Sequence, residues 1–169
     1  MFQTAVQIPI DTHVTSSSDL CSTLHPSIET HFADPSIIYH EGATYAFATN
    51  NVGADIENFN VQLATSSDNE TFDLQYHETL SDLPSWSTGR QVWAPDVSKL
   101  DDGKFIMYFS IELASSPSHH CIGAAVADEV VGPYTPQDSP LICPDPDVQG
   151  GAIDASAFID PYTGKRYIT

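Results

Sequence analysis

The chain has 169 residues, about the length of one ordinary domain with a sizeable core. Aromatic residues make up 10% and charged residues only 17%, which is a globular composition and not a disordered one. Asp and Glu number 23 against 5 Lys and Arg, a formal charge of −18; it repels phosphate backbones and anionic lipid, so no nucleic acid and no membrane partner is expected, whereas a neutral sugar is not repelled.

Taken from the start, Met1–Ile10 lack a basic n-region and a long apolar core, so they make a poor signal peptide. No apolar run reaches the roughly 18 residues of a membrane-spanning helix. Residues 1–30 read as an N-terminal extension that carries His13 and Cys21. From residue 31 onward the chain reads as strands. Asp34-Pro35-Ser36-Ile37-Ile38 runs into the polar turn Glu41-Gly42 and then the aromatic stretch Thr44-Tyr45-Ala46-Phe47-Ala48. Val61–Ser66 is a further strand, and Asn69-Glu70-Thr71 is a glycosylation sequon in a turn-like stretch, which favours a secretory route.

The pattern then returns. Asp96-Val97-Ser98-Lys99-Leu100 leads to the turn Asp101-Asp102-Gly103, whose tight geometry needs positive φ, and on to Phe105–Phe109. There, Phe105, Met107 and Phe109 alternate with Ile106 and Tyr108 at period two. Ile122–Ala127 parallels Val61–Ser66, and Leu141 parallels Leu80, both at an offset of 61. A third copy opens with Asp154-Ala155-Ser156-Ala157-Phe158, turns at Thr163-Gly164 and enters Lys165–Ile168. The three Asp residues at positions 34, 96 and 154 are 62 and 58 apart. No window carries a helical stripe, and twelve Pro and nine Gly punctuate the chain.

A repeat of about sixty residues holding some four strands is the size of a large propeller blade. A β-sandwich, the other architecture open to such strands, leaves the repeat unexplained. Residues 31–169 are therefore expected to form part of an all-β propeller. They contain about two and a half blades, and a ring typically needs four to eight to close. The chain stops at Thr169, inside the first hairpin of its third repeat, and so reads as a fragment.

The first strand of each propeller blade lines the central channel, so Asp34, Asp96 and Asp154 are expected to converge on one axis. Clustered carboxylates shift one another's protonation and are the usual tool for cleaving glycosidic bonds. The alternative for each is a structural Asp that caps a turn or accepts a backbone N–H. For Asp96 that alternative stands beside a substrate contact. His119-His120 read as a solvated Ser- and Pro-flanked loop, with metal ligation as the competing use. Gly150-Gly151 reads as a close backbone approach near the axis. Tyr45, Phe47, Tyr108 and Phe109 read as packing between blades. Cys21, Cys121 and Cys143 fit no zinc spacing, and Cys121 with Cys143 forms either one disulfide or two buried thiols. A Gly-rich phosphate loop and a nucleophile elbow are both absent from the sequence.

Three ordered stretches, His31-Phe32-Ala33-Asp34-Pro35-Ser36, Trp93-Ala94-Pro95-Asp96-Val97 and Gly151-Ala152-Ile153-Asp154-Ala155-Ser156-Ala157-Phe158, together resemble glycoside hydrolase family 43. Gly132-Pro133-Tyr134 looks like that family's turn before the outer strand of a blade. The resemblance implies a secreted, five-bladed β-propeller that hydrolyses arabinose- or xylose-containing plant polysaccharides and oligosaccharides with inversion. It implies that Asp34 is the general base and that Asp154 tunes the pKa of the general acid. Trp93 becomes a candidate sugar-facing aromatic, with ordinary packing as its alternative, and Asp96 a candidate substrate contact. The family's acid is a Glu in a later blade, and no Glu follows Glu129 here. Ala155 departs mildly from the family's third motif. No cofactor is required; a structural metal ion near the axis is a family feature whose ligand has no match in this chain. Two other readings share the architecture: a carbohydrate-binding propeller without catalysis, and a retaining sucrose- or fructan-cleaving hydrolase.

Overall fold

The structure, a computed structural model, describes residues 27–50 and 59–169; His13 and Cys21 lie outside the described residues. Among the described residues ten strands build three sheets. β1 (Ser36–His40), β2 (Ala43–Ala48), β3 (Gln62–Ser66) and β4 (Asp73–Gln75) form one antiparallel sheet in sequence order. β5 (Trp93–Lys99), β6 (Phe105–Leu113), β7 (Ser116–Ala127) and β8 (Thr135–Pro136) form a second of the same order. β9 (Ala157–Ile159) and β10 (Arg166–Ile168) form a two-stranded hairpin. The first two repeats thus each hold the four strands that the sequence implies, and strand is nearly all of the regular structure among the described residues.

The alternation of β6 explains how the sheets stack. Phe105, Met107, Phe109 and Ile111 point to one face, where they bury against Phe47, Val61 and Leu63 of the first sheet. Ile106 and Tyr108 point to the other, where they meet Ala155, Ala157 and Ile168 of the third repeat. Burying each such large side chain is worth about 1.5–3 kcal/mol, so a middle sheet apolar on both faces is the main adhesive. Phe47, Tyr108 and Phe109 are buried, and Tyr45 packs half-buried on the first cluster, as packing between blades requires. Polar bonds sew the outer edges: Tyr134 N donates to Thr79 O at 2.8 Å, and His77 Nε2 meets Val131 O at 3.0 Å. Leu80 is fully buried between the two sheets, whereas its repeat partner Leu141 is 42% exposed, because no described sheet lies over it.

Three sequence expectations change here. First, the repeat is more regular than the Asp residues suggest. Ser36 pairs with Phe47, Asp96 with Tyr108, and Ser156 with Thr169. Structural equivalents on the first strand are therefore 60 apart, and on the second strand 61. Asp34 corresponds to Ala94 and Asp154, and Asp96 corresponds to Ser36 and Ser156. Backbone conformation agrees: Asp34, Ala94 and Asp154 have φ of 52°, 43° and 61°. Aligning Asp with Asp displaces the middle repeat by two residues, which is the side-chain period of a strand, so the displaced alignment still matches inward to inward. Second, His119 and His120 lie in β7, not in a loop. The Ser-Pro stretch before them is an irregular strand end, with a register shift between Glu112 and Leu113. Third, a helical turn occurs among the described residues, α1 (Pro146–Gln149), with the Asp145 carboxylate accepting the N–H of Asp147 at its start.

The Cys121–Cys143 pair, open from sequence, forms a disulfide. It ties β7 to the segment that leads through α1 to Asp154. Gly151 fits beside it because a Cβ there meets the His120 carbonyl oxygen at 3.0 Å, and Ala152 N donates to that same oxygen at 2.9 Å. The sequon residue Asn69 sits on an exposed turn beside Thr44, at the end of the first sheet away from Asp34.

Two outcomes follow from this packing. A Cβ at Gly123 lies 2.6 Å from Phe109 Cζ, so Gly123→Ala overpacks the core. It is expected to cost about 1–3 kcal/mol, and Phe109→Leu in the same chain should return part of the loss in a thermal melt. An additive double mutant contradicts the clash. Cys121→Ser opens a crosslink that spans a sequence separation of 22, and a loop of that size stabilises by about 3 kcal/mol. The variant should melt lower than wild type, and reductant should lower wild type to match it.

Candidate active site

A shallow groove of roughly 220 Å³ opens where the inner strands begin. Its walls are Asp34-Pro35-Ser36, Ala94-Pro95-Asp96 and Asp154-Ala155-Ser156. These three triplets are the 60-residue equivalents identified by strand register. The groove is thus one tripeptide position seen three times, and it brings together all three Asp residues singled out from sequence.

The backbone at these positions is unusual. A non-glycine residue at positive φ costs on the order of 1–3 kcal/mol and persists only where its surroundings fix it. In the second repeat the turn-in is a β-bulge between Trp93 and Asp96, with Ala94 inside it. A bulge re-aims the side chain it carries. In the first repeat the same position holds Asp34, and in the third Asp154, so two carboxylates are turned into the groove where the middle repeat offers only a methyl group.

What fixes two of these left-handed residues is a hydroxyl from the preceding repeat. Ala94 N donates to Thr49 Oγ1 at 2.9 Å, and Asp154 N donates to Ser110 Oγ at 3.0 Å. Thr49 and Ser110 are both buried and occupy the same place, 61 residues apart, just past or near the end of the second strand. The Thr49 hydroxyl also donates: its Oγ1 gives a hydrogen bond to Asp34 Oδ2 at 2.6 Å. Sequence reading overlooked both residues. The signal was available in the shared offset of two small hydroxyl residues, but only the hydrogen bonds give them a purpose.

Asp96 behaves differently from its neighbours. Its Oδ2 accepts the N–H of Ala157 at 2.7 Å and so joins the second repeat to the third. Burial pushes its carboxyl above the usual range, partly opposed by that N–H and by Arg166. Arg166 itself is held by Ser98 Oγ at 2.6 Å and the Lys99 carbonyl at 2.8 Å. Ser36 Oγ is buried and has no partner among the described residues.

Trp93 lies next to Ala94 but is not in the groove lining. One indole face stacks on His120, with centroids 4.0 Å apart and planes at 20°, and its Nε1 donates to Gln91 Oε1 at 2.9 Å. Burial lowers the pKa of His120, and its Nε2 is buried without a partner. Among the described residues, no group of three or more His, Cys, Asp or Glu converges to hold a metal ion. The axial metal implied by resemblance therefore finds no fit in the residues described.

Comparison with known proteins places this groove in context. The chain matches Glycosyl hydrolases family 43 over residues 23–169. It is 34% identical over 105 residues to extracellular endo-alpha-(1->5)-L-arabinanase 2 of Bacillus subtilis, covering 60% of this chain and 22% of the relative. It is 28% identical over 148 residues to xylosidase/arabinosidase 43A of Humicola insolens, covering 80% and 42%. Among solved structures, it aligns with the GH43_1 enzyme from Xanthomonas citri complexed with xylotriose at a TM-score of 0.64 and 25% identity, over 85% of this chain and 41% of that one. Native Bacillus subtilis arabinanase Arb43A shares the fold at a TM-score of 0.65 and 21% identity, over 83% and 47%. The chain spans less than half the length of each of these proteins. With the family match running from residue 23 to the last residue, and the groove tripeptides inside it, the chain belongs to glycosyl hydrolases family 43.

Proposed function

We propose that the protein carrying this chain hydrolyses O-glycosidic bonds in arabinose- or xylose-containing polysaccharides or oligosaccharides, with inversion at the anomeric carbon. The observation that carries the reading is the groove itself. Two repeats place an Asp at the same left-handed position, and both line one cavity open to solvent. The family match and the arabinanase and xylosidase/arabinosidase relatives supply the substrate class. The charge of −18 is compatible with a neutral glycan.

In this reading Asp34 is the general base. It takes a proton from water as the water oxygen attacks the anomeric carbon, while the C–O bond to the leaving sugar breaks. The leaving oxygen takes a proton from a general acid, proposed from the family resemblance to be a Glu of a later blade. Inversion needs room for water, which sets base and acid about 6.5–9.5 Å apart. Asp154 is the anion that keeps the acid protonated near neutrality. Asp96 offers its second oxygen to a sugar hydroxyl, and Trp93 the indole face that does not stack on His120. The ring is proposed to close at five blades, 31–169 being part of it and 1–30 an extension. Exposed apolar residues on β1 (Ile37, Tyr39) and on β9 and β10 (Phe158, Tyr167) support such neighbours. Release outside the cell is proposed from the extracellular arabinanases among the relatives.

The tests use the complete protein on linear α-1,5-arabinan, arabinoxylan and aryl glycosides. Asp34→Asn is expected to lower kcat on the order of 10²–10⁴-fold with an unchanged melting temperature. Asp154→Asn should lower kcat and move the basic limb of the pH profile to lower pH, since losing a nearby anion favours ionisation of the acid. Wild-type rates in Asp34→Asn overturn the base assignment. NMR of the first-formed sugar is expected to show the inverted anomer; retention instead points to a nucleophilic Asp of the kind used by sucrose- and fructan-cleaving propellers, and no cleavage of any of these glycans to a binding module.

A further inference from the structure

We infer that Thr49 is the positioning residue of Asp34: its hydroxyl ties up one carboxylate oxygen and leaves the other as the single site for the water's proton. This rests on the reading of Asp34 as general base. A carboxylate on a short side chain turns about its Cα–Cβ and Cβ–Cγ bonds, and a base is useful only when one lone pair faces the attacking water. In this chain Thr49 Oγ1 donates to Asp34 Oδ2 at 2.6 Å, within the range of a short O–H to carboxylate bond. Among the described residues no hydrogen bond reaches Asp34 Oδ1, and Asp34 lines the groove.

Thr49 is itself immobilised at every polar atom. Its N–H donates to the Ala33 carbonyl at 3.0 Å, and its own carbonyl accepts Gln62 Nε2 at 2.7 Å. Its Oγ1 accepts the Ala94 N–H from the next repeat at 2.9 Å, so the hydroxyl proton is directed at Asp34. The repeat supplies an internal comparison. Ser110 accepts the Asp154 N–H in the same way, yet the residue that stands to it as Asp34 stands to Thr49 is Ala94, which has no carboxylate. Both hydroxyls hold the left-handed residue of the next repeat; of the two, Thr49 also donates to a carboxylate.

The experiment compares Thr49→Val, Thr49→Cys and Thr49→Ser in the complete protein, with linear α-1,5-arabinan or the fastest-cleaved aryl glycoside as substrate. Thr49→Val removes the donor at nearly constant volume. It should lower kcat by roughly 10- to 100-fold with little change in KM, the scale of a misplaced catalytic group. Thr49→Ser keeps the hydroxyl and should restore kcat. Thr49→Cys offers only a weak donor and should lower kcat with little change in KM, as valine does; it carries the test if valine does not fold. Ser110→Ala, the matching hydroxyl without a carboxylate, should lower the melting temperature. Wild-type kcat in both the valine and cysteine variants, with Asp34→Asn inactive, overturns the positioning role alone. An active Asp34→Asn overturns that role and the base assignment together.

Discussion

Everything at the groove depends on a middle sheet that is apolar on both faces. The strict alternation of β6 sends Phe105, Met107, Phe109 and Ile111 toward the first sheet and Ile106 and Tyr108 toward the third repeat. Each neighbour buries an apolar face against the same middle sheet. Gly123, pressed against the Phe109 ring, sets how closely β6 and its partner β7 can carry that packing. The inner strands are then held side by side, and their first residues face a common space.

On that scaffold the active groove is made by repeating a single local departure from regular strand geometry. Each repeat begins with a left-handed residue, at positions 34, 94 and 154. The hydroxyls of Thr49 and Ser110 accept the N–H of the left-handed residue one repeat further on. The bond is made between repeats, so the groove's shape is a property of the stacked assembly and not of any one hairpin. This is a reasonable place to store backbone strain, because packing on both sides determines the conformation in excess of what it costs. The same arrangement lets one tripeptide slot carry different chemistry in successive repeats: a carboxylate at Asp34, none at Ala94, and a carboxylate again at Asp154.

Several ties fasten the third repeat to the second. The Cys121–Cys143 disulfide, the Ala152 N–H to His120 carbonyl bond and the Asp96 carboxylate on the Ala157 N–H all converge on the approach to Asp154. Arg166, reaching to Ser98 and Lys99, adds a fourth tie. Burial of Asp96 has a cost, visible in its raised pKa, and that cost is offset by a bond that spans two repeats. His120 serves two neighbours here, its backbone receiving the third repeat and its ring receiving Trp93.

Much of this was legible before any coordinates. Period-two alternation in Phe105–Phe109 defined a strand with two working faces, and Gly-containing turns at Gly42, Gly103 and Gly164 marked the hairpins. The ordered motifs around Asp34, Trp93 and Asp154 carried the family, because they depend on residue identity at fixed spacing. Tertiary structure alone decided what depends on contacts distant in sequence. It showed that Ala94, not Asp96, stands where Asp34 and Asp154 stand, since a bulge changes the count along one strand without changing which side chains face inward. It gave Thr49 and Ser110 a role, since a small hydroxyl residue looks the same in sequence whether it faces solvent or accepts an N–H from the next repeat. It also decided the Cys121–Cys143 bond and the stacking of Trp93 on His120, which require two chain segments to meet; a sequence specifies such meetings only through the sum of its packing.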